Sequence, residues 1–72
     1  MMFCVYLLDY NGQGSYLSVK GRHEWRTKRT ASKHGQDIAA LVNNGKTWQH
    51  VCAVWIENEF GDIVKSFPIN KG

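Results

Sequence analysis

The positively charged side chains of this chain are concentrated in one stretch. Six of its nine Lys and Arg residues lie between positions 20 and 33, in the run K-G-R-H-E-W-R-T-K-R-T-A-S-K, which the carboxylate of Glu24 alone interrupts. Such a concentration produces a positive field that attracts phosphate groups or an acidic protein surface. The sequence therefore predicts a partner-binding surface in this run. Its charged members are Lys20, Arg22, Arg26, Lys28, Arg29 and Lys33.

Trp25 lies in the middle of the same basic run. An indole among Lys and Arg side chains can stack on a nucleobase or anchor a protein interface. It can equally fold back onto the sheet and join the core. Both interpretations stay open at this stage, and Trp25 is included among the candidate partner-binding residues.

The cysteines, histidines and carboxylates do not follow a spacing typical of catalytic or metal sites. His50 and Cys52 alternate, which predicts that they share one face of a strand, but no orienting third group stands near them in sequence. No C-x-x-C or H-x-x-x-H pattern is present. We expect a protein that is not an enzyme and has no metal and no cofactor. A small ribonuclease that uses His23 or His34 remains open, because such sites have little sequence signature.

The acidic residues are grouped near the C-terminal end, where Glu57, Glu59 and Asp62 surround a turn. Their spacing does not match a calcium-binding loop, which needs oxygen ligands at regular positions over a longer segment. We expect a solvated hairpin tip. An acidic end and a basic middle can also attract each other within the fold or between subunits.

The length and composition predict one small folded domain over residues 1–72, with 43% apolar residues and a net charge of +3. A domain of this size buries only about 60% of the surface of its unfolded chain, so a homodimer interface can supplement its stability. Cys4 and Cys52 are too few for a secreted disulfide framework, and we expect buried thiols. The apolar run of residues 1–8 is too short to span a bilayer, and we expect a cytoplasmic protein without membrane contact.

Two pairs of strands are predicted. Residues 3–9 have the composition of a strand and are apolar on both faces, which indicates a central strand or one beneath a partner. A turn at residues 11–14 leads into a second strand from Ser15 to Lys20. Val51 to Glu57 and Ile63 to Phe67 form the second hairpin, which Pro68 ends.

One helix is predicted between the hairpins, from about Thr27 to Asn43. Its apolar face comprises Thr27, Ala31, Ile38, Leu41 and Val42. Thr27 or Thr30 can serve as the N-cap, and Asn44-Gly45 is a suitable C-terminal stop. Gly35 allows the helix to approach the sheet closely.

The expected fold is therefore α+β with two layers: an antiparallel sheet of about four strands, in the order ββαββ, with one helix packed on one face. Residues 21–26 have room for a short extra strand. On this helix Arg29 and Lys33 lie one turn apart on the outward face, where they can contact successive phosphates.

The order of elements, with the short basic stretch T-K-R-T-A-S-K-H between two hairpins, resembles that of some very small anti-CRISPR proteins of phages and prophages. The likeness covers the whole chain as topology and about ten residues as sequence. It implies binding without catalysis, by occupying the nucleic-acid path or a subunit surface of a large host complex. The positions that it marks as binding residues are Arg26, Lys28, Arg29 and Lys33.

A second likeness is to the arm-type DNA-binding domains of phage integrases, in which strands lead through a segment similar to E-W-R-T-K-R-T-A into a helix. It implies that the sheet enters the major groove of DNA. This chain departs from that pattern because it continues into a second apolar hairpin, from Val51 to Phe67.

These observations lead to one main hypothesis and two others. The main one is a non-enzymatic phage or prophage accessory protein that inhibits or modulates a host nucleoprotein complex through its basic patch. The alternative is a small DNA- or RNA-binding protein that acts directly on nucleic acid. The third is a small ribonuclease toxin.

Overall fold

A computed structural model describes residues 1–70 of the chain. The predicted fold class is confirmed: one antiparallel sheet of four strands is packed against one helix. The elements are β1 Phe3–Asp9, β2 Gly14–Tyr16, α1 Lys28–Asn43, β3 Val51–Asn58 and β4 Ile63–Phe67. The strand order is β2-β1-β3-β4. The two-sided apolar strand β1 is thus central, as its composition predicts. No helix among residues 1–70 is both long and apolar enough to cross a membrane.

The two faces of the sheet differ in how far other elements bury them. Val5 pairs with Ile56 and Leu7 with Val54, and all four side chains are buried beneath α1. The alternate residues of β1 and β3 point to the other face and are only half-buried. The helix therefore covers one face, and the other remains open among the described residues.

The second strand is shorter than predicted and ends at Tyr16, although the amide of Leu17 still donates to the carbonyl of Val5. The chain then reverses at Lys20 and Gly21, which have φ angles of 52° and 80°. Two consecutive left-handed residues are typical of a tight type I′ turn. The extra strand considered for residues 21–26 is reduced to isolated bridges.

Both ends of α1 follow the predicted signals. The Thr27 hydroxyl caps the N-terminus by accepting from the amide of Thr30 at 3.1 Å. At the C-terminus, the amides of Gly45 and of the next residue donate to the carbonyls of Val42 and Leu41, which is the Schellman arrangement. Leu41, expected on the apolar face, is instead exposed.

Gly35 is buried where α1 meets the last two strands. A Cβ atom at this position would lie 2.7 Å from Cε2 of Phe67 and 3.1 Å from Cδ1 of Ile56. The expected close approach of helix and sheet is therefore present.

Replacement of Gly35 by Ala should lower the free energy of unfolding by about 1 kcal/mol. Overpacking against Phe67 costs about 1–3 kcal/mol and outweighs the gain in helix propensity of about 1 kcal/mol. Urea unfolding followed by circular dichroism measures the change. As a control, Ala40→Gly on the exposed face of α1 should cost about 1 kcal/mol through propensity alone. A more stable Gly35→Ala variant would contradict the packing argument.

The two cysteines are free thiols and are half-buried, not buried as expected. Cys4 lies on the open face of the sheet. The thiol of Cys52 donates to the carbonyl of Asp9 at 3.3 Å. Burial is the main cause that raises the pKa of the Cys4 thiol, and the nearby carboxylates of Glu24 and Glu57 add to it.

Candidate functional site

The first two turns of α1 and the edge strand β4 form an open groove of about 1040 Å³. Four of its lining residues are cations, and we call this surface the basic groove. The cations are Lys28, Arg29, Lys33 and Lys65, with Thr30, Ser32 and Gln36 between them. Three of these cations were candidates from the sequence, and the structure brings them together.

Local structure explains how the groove is assembled. Arg29 and Lys33 are four residues apart on α1, so their side chains project from the same side of the helix, away from the core. Lys65 comes from β4, where it pairs with Ile56 of the core and therefore lies on the helix side of the sheet. Its ammonium group lies 5.7 Å from the centre of the Phe67 ring. Cations from the helix and from the edge strand therefore meet at one surface.

In the part of the chain that the structure describes, no carboxylate forms an ion pair with the cations of the basic groove. Within residues 1–70 the single ion pair joins the N-terminal amine to Glu59, at 3.8 Å. Asp37 follows Lys33 by one helical turn but is not within ion-pair distance of it. The positive field of the groove is therefore directed to solvent.

The helix N-terminus strengthens this field. The first turn of α1 contains no acidic residue and begins with Lys28 and Arg29. Cations at the positive end of the helix dipole cost stability, about 0.3–1 kcal/mol each when exposed. An anion bound in the groove would offset that cost, because both the positive end of the helix dipole and the cationic side chains attract it.

Three of the basic candidates do not contribute to the groove. Lys20 lies at the tip of the tight turn, and Arg22 and Arg26 line a neighbouring pocket of about 370 Å³ that shares Thr30 with the groove and also contains Glu24. The six charges that the sequence groups together therefore divide among the groove, a neighbouring pocket and the tip of a turn. Lys65 was not among the candidates from the sequence. The alternation of side chains in β4 places it on the same face of the strand as Phe67.

Trp25 is a core residue and not a surface contact. Its side chain is 5% exposed and its ring centre lies 4.8 Å from that of His34. Its backbone exchanges two hydrogen bonds with Phe3, which hold it at the sheet edge. Its assignment as a partner-binding residue is therefore corrected.

The expectation that His50 and Cys52 share a strand face is also wrong. His50 belongs to the turn before β3, and its ring is tilted against that of Trp48 at 6.0 Å. Within residues 1–70, no three side chains of His, Cys, Asp or Glu are grouped as metal ligands would be.

A second cluster, which sequence reasoning did not identify, lies on the sheet face opposite α1. The ring of Tyr6 stacks on Trp55 at 4.8 Å and meets Tyr16 edge-on at 5.1 Å. Glu57 accepts hydrogen bonds from the Tyr16 hydroxyl at 2.9 Å and from Nε1 of Trp55 at 2.8 Å. We call these four residues the aromatic face. Glu57 is thus part of this face. The expectation from the sequence, that it lies at a solvated hairpin tip, is corrected.

The hydrogen bond from Tyr16 to Glu57 raises the pKa of the phenol above its ordinary value of 10.0. Ionisation would remove the donated proton and place two negative charges together. We expect Glu57→Gln to lower the pKa of Tyr16 toward the ordinary value. Ultraviolet absorbance of tyrosinate measures it in a Tyr6→Phe, Tyr10→Phe background, where Tyr16 is the remaining tyrosine.

The sign of the pH dependence follows from this direction. The folded-state pKa lies above the unfolded one, so the bond stabilises the fold below the unfolded pKa. This contribution is lost as pH rises through the folded pKa. An unchanged Tyr16 titration in Glu57→Gln would show that the carboxylate is not the cause.

No family model, no curated protein and no solved structure matches this chain, so the site is interpreted from its geometry.

Proposed function

We propose that this chain is a non-enzymatic accessory protein, encoded by a phage or prophage, that inhibits or modulates a host nucleoprotein complex. It binds through the basic groove, which contacts a phosphate-lined channel or an acidic surface of that complex. The observation that carries the proposal is the convergence of Lys28, Arg29, Lys33 and Lys65 without a neutralising carboxylate among the described residues. The resemblance of the element order to small anti-CRISPR proteins supports the choice of a nucleoprotein target.

The number of cations limits how tightly the groove alone holds nucleic acid. Each neutralised phosphate contributes about −0.9 to the slope of log K against log salt, so four contacts give about −3 to −4. Such binding weakens strongly at physiological salt. A specific complex therefore needs protein contacts in addition to phosphate, which favours a nucleoprotein complex over naked nucleic acid.

Direct binding to DNA or RNA is the second candidate. The one-turn spacing of Arg29 and Lys33 on an exposed helix favours it, because the two cations can meet adjacent phosphates. In this case the groove acts on the nucleic acid itself, and no host protein is needed.

Two measurements separate these candidates. A pull-down with the tagged full chain from nuclease-treated host lysate should recover a discrete complex. Fluorescence anisotropy with nonspecific duplex and single-stranded oligonucleotides, over a salt series, should show weak binding that disappears at physiological salt. Micromolar or tighter binding to naked oligonucleotide, with nothing recovered after nuclease treatment, would replace the proposal by the second candidate. No binding in either assay would reject both.

A further inference from the structure

The aromatic face is an uncovered apolar surface on the side of the sheet away from the basic groove. Tyr6 and Trp55 are half-buried, and Tyr16 is 51% exposed. Ile63, opposite Glu57 in the register, is 58% exposed and extends the apolar surface toward β4. No described element packs on this face. Contiguous apolar patches on small soluble proteins commonly mark interaction sites.

The charge of the aromatic face is opposite to that of the basic groove. The charged side chain that the strand register places on it is Glu57, which pairs with Cys4 across the sheet. Beside it lies a pocket of about 290 Å³ whose walls include Tyr16, Glu24, Glu57 and Glu59, the last of which pairs with the N-terminal amine. A phosphate-bearing ligand is repelled here, and a cationic ligand is attracted.

A second copy of the chain does not suit this face. From strand spacing and rise, the sheet is about 24 Å long and about 19 Å wide at most, so it offers roughly 450 Å² on each copy. The total of roughly 900 Å² is below the 1,200 Å² or so of a stable interface. Packing two copies face to face would also bring two sets of carboxylates together.

We propose that the aromatic face is a second docking surface, which binds a basic segment of a partner protein by seating an arginine side chain against Glu57 and the adjacent rings. The guanidinium pairs with the carboxylate of Glu57 and lies on the electron-rich face of Tyr16, whose ring is the exposed one. The apolar neighbours of that arginine contact Trp55 and Ile63. The proposal concerns the opposite side of the molecule from the basic groove and does not depend on the proposed function.

The geometry prepares Glu57 for this role. Each of its oxygens already accepts one hydrogen bond, from Tyr16 and from Trp55, so the carboxylate is held in one orientation. Each oxygen keeps a further lone pair that can accept an N–H group of a guanidinium. Little side-chain ordering is therefore required on binding, which favours affinity.

The test uses the full chain, isotopically labelled, and a synthetic peptide of alternating Arg and Leu; a peptide of alternating Glu and Leu is the control. NMR titration should shift the amides of Tyr6 and Tyr16 and the indole N–H of Trp55 with the basic peptide only. Glu57→Gln should weaken binding about ten-fold, because the charge-assisted pair is lost. Arg29→Glu with Lys33→Glu should not weaken peptide binding, which distinguishes this surface from the basic groove.

Trp55→Phe provides a second variant in case Glu57→Gln is unstable, because it keeps an aromatic ring and removes one donor to Glu57. It should weaken peptide binding by a smaller factor. The proposal is overturned if the acidic peptide binds equally or if the shifts lie in the basic groove. It is equally overturned if sedimentation shows that the chain covers this face by self-association, or if an oligonucleotide shifts the same signals.

Discussion

Replacement of Trp25 by Ala is expected to lower the free energy of unfolding by about 3–5 kcal/mol, the usual cost of removing a large aromatic side chain from a core. The indole is 5% exposed, packs against His34 and lies where the chain is hydrogen-bonded to Phe3. At about 0.05–0.15 kcal/mol per residue, a domain of this length has a total stability of only about 4–11 kcal/mol. Urea unfolding at several temperatures should show a large part of that stability lost.

Two variants control for this effect. Trp25→Phe keeps an apolar ring and should cost about 1–2 kcal/mol. Phe60→Ala removes an aromatic side chain that is 73% exposed at the β3–β4 hairpin, and should change stability by less than about 0.5 kcal/mol. If Trp25→Ala cost under about 1 kcal/mol and weakened partner binding instead, Trp25 would be a surface contact and the core assignment would be wrong.

Charge reversal of Arg29 and Lys33 together is expected to reduce binding to a polyanion by about 100-fold at low salt. Each reversal removes one phosphate contact and adds a repulsive charge, so the slope of log K against log salt should become shallower by about 2. The fold should be unaffected or slightly more stable, because a Glu at position 29 lies in the first turn of α1, where the helix dipole favours negative charge. Anisotropy with a heparin or oligonucleotide probe measures the binding, and thermal melting measures the stability.

Lys20→Glu with Lys46→Glu is the matched control, since it changes the net charge equally at two exposed positions outside the basic groove. It should weaken polyanion binding by less than about three-fold. Charges outside the groove act on the polyanion only at long range, where salt screens them strongly. Equal losses in the two double variants would mean that binding depends on the net charge of the protein and not on the groove.

The regular elements of the fold are predictable because their signals are local. Period-two and helical patterns, the Thr27 cap and the Asn44-Gly45 stop each depend on residues a few positions apart. The segment from Leu17 to Thr27 was not predictable in the same way. Its path depends on the left-handed turn at Lys20 and on pairing of Trp25 with Phe3, which is distant in sequence.

By itself, the sequence determined the α+β class, the central position of β1 and the presence of an excess of positive charge near the start of α1. Only the tertiary structure decided which charges meet. Packing of β4 beside the helix adds Lys65 to Arg29 and Lys33, while Lys20 lies at the tip of a turn and Arg22 and Arg26 line a neighbouring pocket. Pairing of β1 with both β2 and β3 likewise joins Tyr16 to Glu57. Local patterns determine which elements form, but a binding surface depends on contacts between residues far apart in the chain.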